Sequence, residues 1–200
     1  MMGKLKKLTG YRLFLPLSCL IIVLLINLIT TPTFFKITIN NGVLYGYIID
    51  VINRASELVV LAVGMTLVVS ASAGTDISVG AVMAVSAAVC TRVLAGGEVS
   101  VNEYANPYIL AVLAALAVAV VCGGFNGFLV AKLKIQPMVA TLILFTAGRG
   151  ISQLVTNGQI TYIRVDGYKL LGNNIPGIPI PTPIFVAVIV VVLTYILLKK

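Results

Sequence analysis

Long uncharged apolar runs, separated by short stretches that hold most of the lysines and arginines, constrain this chain more than any other feature. A helix needs roughly 20 apolar residues to cross the hydrocarbon core of a bilayer. Here 60% of the 200 residues are hydrophobic and 10% are charged, whereas soluble domains run near 45–50% apolar and about 25% charged. With a mean hydropathy of +1.10, the chain reads as all-α: one polytopic transmembrane helical bundle occupying residues 1–200.

The runs predict six spans, near 13–31, 58–75, 77–95, 107–131, 137–155 and 183–198. Lys4, Lys6 and Lys7 precede the first, but it is longer than a signal-peptide core and no small-residue cleavage site follows, so it reads as an uncleaved anchor. Pro107 and Pro137 are first-turn prolines, tolerated because their missing N–H would be unpaired there anyway. The cluster Pro176, Pro179, Pro181 and Pro183 precedes the last span.

Basic residues in short loops orient such bundles. With the N-terminus inside, Lys4, Lys6, Lys7, Arg12, Lys132, Lys134, Lys199 and Lys200 face the cytoplasm, against Lys36, Arg54, Arg164 and Lys169 outside. Eight against four predicts N-in and C-in, with Phe34 to Asn53 and Thr156 to Pro183 external. Arg92 lies close enough to the end of the third span to snorkel.

A few polar residues fall at membrane depth. Asp76 sits in Gly74-Thr75-Asp76-Ile77-Ser78-Val79-Gly80, a connection too short for a loop of any length. Asp76 or Ser78 can cap the third helix. Asp76 can also line a polar pathway, because ionisable groups at depth face cavities or partners; the two readings are compatible. Arg149, between Gly148 and Gly150, either snorkels outward or uses a closely approaching backbone as acceptor. Gly123 and Gly127 form a G-x-x-x-G step suited to helix packing in lipid. Asn126 beside them needs a partner, as interhelical glue or as a pathway residue. From polarity at depth and motif position, the candidate pathway residues are Asp76, Ser78, Asn126, Thr141, Arg149 and Gln153.

Other classes find no support in the residues. There is no histidine, and Cys19, Cys90 and Cys122 have no zinc or redox spacing, so no metal site and no cofactor is expected. A net charge of +8 does not point to nucleic acid, because the basic residues sit at the ends of apolar runs rather than on one face. The chain has no phosphate-binding G-x-x-x-x-G-K-[ST] loop and no hydrolase signature. It offers no catalytic constellation and is expected not to be an enzyme.

Ala62-Val63-Gly64-Met65-Thr66-Leu67-Val68-Val69 and Gly74-Thr75-Asp76-Ile77-Ser78-Val79-Gly80-Ala81-Val82-Met83-Ala84 resemble the ribose/galactose-type sugar permeases of bacterial ABC importers. A second block, Asn126-Gly127-Phe128-Leu129-Val130 through Ile135-Gln136-Pro137 to Thr141-Leu142 and Gly148-Arg149-Gly150, is similar to the same family and most similar to its galactofuranose permeases. The resemblance covers Arg54 to Gln159. One departure is Ala73-Gly74-Thr75, where the family usually has Gly-Gly-Ile. The resemblance implies a permease subunit in the bacterial inner membrane that carries no cofactor of its own. Its implied partners are an ABC ATPase subunit, an extracytoplasmic sugar-binding protein, a second permease subunit and the membrane lipid. It also implies an ATPase-docking segment beyond Lys200, so the chain is expected to correspond to the N-terminal part of a longer permease. A secondary transporter or channel subunit would call for an internal repeat or a charged relay, neither of which is evident. A permease fragment without activity of its own is the third reading.

Overall fold

The computed structural model describes residues 13–40, 43–165, 168, 172 and 178–199. Lys4, Lys6, Lys7, Arg12, Lys169, Pro176 and Lys200, which entered the orientation and span arguments, lie outside the described residues. Among the described residues six helices follow one another: α1 (Phe14–Thr30), α2 (Tyr47–Ser72), α3 (Val79–Ala95), α4 (Tyr108–Ala131), α5 (Pro137–Val155) and α6 (Thr182–Leu198). Of these, α2, α4 and α5 are long and apolar enough to cross a membrane, and the other three are apolar helices of 17 residues.

Most helices begin and end within two residues of the apolar runs, because the bounding prolines, glycines and charges act locally. The second helix is the exception. It begins at Tyr47 rather than near Leu58, so part of the connection expected over Phe34 to Asn53 is helical. Asp50, Arg54 and Glu57 interrupt the apolar run without interrupting the helix. Charged residues break hydropathy, but they are good or adequate helix formers.

Helix α3 is the hub. It packs against both α4 and α5, which also touch each other, while α2 pairs with α6. The buried face of α3 carries Ala81, Val85 and Ala88 and continues to Leu94 and Ala95; the first three recur at helical spacing. Alanine also supplies the buried apolar contacts Ala111 in α4, Ala140 in α5 and Ala187 in α6. Lipid tails are as apolar as leucine, so small residues that permit close backbone approach hold such bundles together, while large ones face outward. Leu110, Leu113, Leu116, Val120 and Val121 of α4 are accordingly exposed, and α1 buries no residue.

Two small pairings trim the ends. Strands β1 (Thr38–Asn40) and β2 (Val43–Tyr45) pair antiparallel, with Thr38 opposite Tyr45. Strands β3 (Ser100–Val101) and β4 (Tyr162–Ile163) pair in parallel and tie the α3–α4 connection to the chain leaving α5. At that end Arg92 donates to the Gly97 carbonyl at 2.7 Å, Asn106 donates to the Val93 carbonyl at 2.8 Å, and the Ala105 N–H bonds the Leu94 carbonyl at 2.9 Å.

Candidate functional site

The turn between α2 and α3 is where polar chemistry gathers. Helix α2 ends with Ala73 in the left-handed conformation (φ 53°), a position that usually takes glycine. At Gly74 an added Cβ would lie 2.7 Å from both Cβ and Cγ of Pro137. The turn can therefore approach the start of α5 this closely only with hydrogen at that position. The Ile77 N–H then bonds Thr141 Oγ1 on α5 at 3.2 Å.

Asp76 organises the rest. Its Oδ1 accepts from both the backbone N–H and the hydroxyl of Ser78, each at 2.7 Å. Ser78 is fully buried, and its oxygen accepts from Asn126 Nδ2 on α4 at 2.8 Å. Asn126 is 7% exposed, and its Oδ1 is buried without a hydrogen-bond partner. The result is a polar chain, carboxylate to hydroxyl to amide, that runs from the turn into the bundle and ends on a buried oxygen with no partner among the described residues.

Helix capping turns out differently from the expectation. Ser78 occupies the N-cap position of α3, but no side chain caps the helix there. A capping residue swings its oxygen over the first turn from extended backbone, whereas Ser78 is already helical (φ −83°, ψ −9°). Asp76 instead closes a local turn by bonding two residues ahead, a common use of aspartate.

A cavity of about 480 Å³ opens beside this network. Ser72, Asp76, Lys134, Pro137 and Thr141 line it, with Gly123, Asn126 and Gly127 along its α4 wall. Four of the expected pathway residues, Asp76, Ser78, Asn126 and Thr141, thus meet in one place. Arg149 and Gln153 do not join them. Arg149 is exposed, and its guanidinium lies 4.3 Å from the centre of the Phe145 ring. Gln153 borders a separate cleft near the far end of α5.

The glycines also separate. An added Cβ at Gly123 or Gly127 meets nothing within 4 Å, so within this chain both border the cavity rather than a packed helix. The tight contact belongs to Gly148, where an added Cβ would lie 3.1 Å from Ala81 Cβ and 3.5 Å from the Ala81 carbonyl oxygen. Backbone approach beside Arg149 does occur, but it joins α5 to α3 and does not pair the arginine. Gly74, Ser72 and Pro137 were not among the expected site residues. The pairing of a turn glycine with a helix-starting proline 63 positions on has no local sequence signal.

The family described as "Branched-chain amino acid transport system / permease component" matches residues 47–200. Over 187 residues the chain is 41% identical to the galactofuranose transporter permease of Escherichia coli (strain K12), covering 92% of this chain and 51% of that protein. It is 35% identical to a fructose import permease of Bifidobacterium longum, covering 98% of this chain and 54% of that one. With the ribose import permease of Haemophilus influenzae it shares 33% identity over 90% of this chain and 51% of the relative. The chain therefore spans about half the length of these relatives. No solved structure matches it. Apolar helices joined through a polar turn, with this extent of similarity, place the chain in the branched-chain amino acid transport system permease component family, as a membrane protein similar to the sugar permeases of ABC importers.

Proposed function

We propose that this chain forms the transmembrane permease part of an ATP-driven sugar importer in the bacterial inner membrane, contributing to the path of the sugar. The observation that carries this reading is the chain Asp76–Ser78–Asn126, facing a cavity next to Thr141. A transported sugar must be held by several weak hydrogen bonds and then released. Single hydrogen bonds worth about 0.5–3 kcal/mol each, the upper values for those to charged groups, suit that need. The lone pairs that Asp76 has left beyond its bonds to Ser78 accept from sugar hydroxyls, and the exposed Lys134 at the cavity rim donates.

Work comes from outside this chain: an ATPase subunit hydrolyses ATP, an extracytoplasmic binding protein delivers the sugar, and a second permease subunit completes the path. ATP binding shifts the helices between outward-facing and inward-facing arrangements. The turn at Asp76 joins α2 to the hub helix and touches α4 and α5, which suits it to move with that shift. The orientation is N-in and C-in, so the Asp76 cavity lies toward the cytoplasm.

Sugar uptake by the assembled importer, measured with Asp76→Asn and with Asn126→Leu at matched membrane levels, tests the pathway reading. Uptake equal to wild type in both variants overturns it. Reporter fusions test the orientation: those after Gly97 and Gly172 should report the outside and one after Lys134 the cytoplasm. A cytoplasmic signal after Gly172 breaks the six-span arrangement.

A further inference from the structure

At the opposite end of α5 from the Asp76 cavity lies a second opening, a cleft of about 270 Å³ between the middle of α3 and the end of α5. Its polar lining is Thr91, Ser152, Gln153, Thr156, Gln159 and Thr161, and among the described residues no charged side chain contributes. The floor is made by the methyl groups of Ala84, Ala87 and Ala88. The spacing from Thr141 to Gln153 puts the two openings about 18 Å apart along α5, at 1.5 Å per residue.

The cleft is held by backbone rather than by chance side-chain positions. Helix α5 ends with Asn157 and Gly158 both in the left-handed region. The Gly158 N–H bonds the Gln153 carbonyl at 2.7 Å, and the Asn157 N–H bonds the Leu154 carbonyl at 3.2 Å, which is the paired closure of a Schellman motif. The reversal carries Gln159 and Thr161 back toward α3. Bonds from the Tyr162 N–H to the Val99 carbonyl and from the Arg164 N–H to the Val101 carbonyl then fasten the returning strand.

The donors and acceptors left over define what fits. The hydroxyls of Thr91, Ser152 and Thr156 each donate to a carbonyl one turn back on their own helix. Their oxygens therefore remain as acceptors. The Gln153 and Gln159 amides each supply two donors and an acceptor. This set matches a ligand rich in hydroxyl groups with an apolar C–H face, and among the described residues it holds no charge to compensate a carboxylate or an ammonium. A volume just under the usual ligand-pocket range of about 300–1,000 Å³ suits one monosaccharide ring.

We infer that this cleft is a recognition subsite for a neutral monosaccharide, separate from the Asp76 cavity and occupied before it on the inward path. The inference rests on the sugar-permease reading and adds a place and a selectivity to it: uncharged sugars over sugar acids and amino sugars.

The test uses the 200-residue chain in lipid nanodiscs and saturation-transfer NMR with three probes: D-galactose, D-galacturonate and D-galactosamine. The expected result is transfer to D-galactose, with little to the two charged sugars. Combined Gln153→Leu and Gln159→Leu substitutions should raise the apparent Kd for D-galactose roughly tenfold, the loss expected for two neutral hydrogen bonds. Both side chains are exposed, so circular dichroism should show an unchanged fold. The inference is overturned if the double variant binds D-galactose as wild type does, if either charged sugar binds equally well, or if wild type binds no D-galactose. In each of these cases uptake by the assembled importer still reports separately on the permease reading.

Discussion

The two ends of α3 are both secured by side-chain hydrogen bonds, but those bonds differ in reach. At the loop end, Arg92 and Asn106 donate to carbonyls 5 and 13 positions away in sequence. Those bonds stay within one connection and stop at backbone oxygens. At the turn end, Asn126 reaches Ser78 across 48 positions, and Thr141 reaches Ile77 across 64. Those bonds join three helices, connect through Ser78 to the Asp76 carboxylate, and leave a buried amide oxygen with no partner among the described residues. The loop end ties one connection to its own helix, whereas the turn end ties separate helices to each other.

The largest effect should come from filling the turn. Gly74→Val drives branched carbon into the Pro137 ring, which has no rotamer with which to move away. A cost of about 3 kcal/mol, the upper part of the usual overpacking range, should cut the amount of folded protein in the membrane. Normal accumulation and normal melting would show that α5 gives way and that the Gly74–Pro137 contact does not set the turn.

Next in size, Asp76→Asn keeps an acceptor oxygen for Ser78 but removes the charge. Uptake by the assembled importer should fall about tenfold at unchanged membrane level, the scale of one charge-assisted hydrogen bond worth about 1.5 kcal/mol. Uptake and protein level that both stay at wild type would reduce Asp76 to a turn former. Asn106→Ala supplies the contrast at the other end. It should lower stability by about 1 kcal/mol, one neutral hydrogen bond, and leave uptake per folded molecule unchanged. A transport defect there would erase the distinction between the two ends.

The smallest effect is a gain. Ala73 holds a left-handed conformation that costs a side-chain-bearing residue about 1 kcal/mol, partly offset by glycine's greater freedom when unfolded. Ala73→Gly should therefore raise the melting temperature slightly and leave transport alone. A drop in stability would mean that the Ala73 methyl makes contacts worth more than its strain.

The helices were legible because their signals are local. Apolar runs, first-turn prolines and terminal glycines each act within a few residues, so five of the six helices start and stop near the ends of those runs. Helix α2 escaped by eleven residues because hydropathy reads Asp50, Arg54 and Glu57 as a boundary while the backbone continues through them. The site was legible only in part. Asp76, Ser78, Asn126 and Thr141 stand out as polar residues within apolar sequence, and the fold joins them. Arg149 and Gln153 carry the same signal, but one lies against Phe145 and the other borders the distant cleft.

Sequence alone thus determined that the chain is a bundle of apolar helices, where most of those helices lie, and which polar residues are costly enough at depth to need partners. Tertiary structure decided how the helices are rotated, and with that which polar residues meet. In a soluble protein the hydrophobic stripe of each helix reveals its inward face. Here both faces of a helix are apolar, so rotation follows from where small side chains allow backbones to touch, as at Gly148 on Ala81 and Gly74 on Pro137. Those contacts lie 67 and 63 positions apart in the chain, beyond the reach of any local pattern.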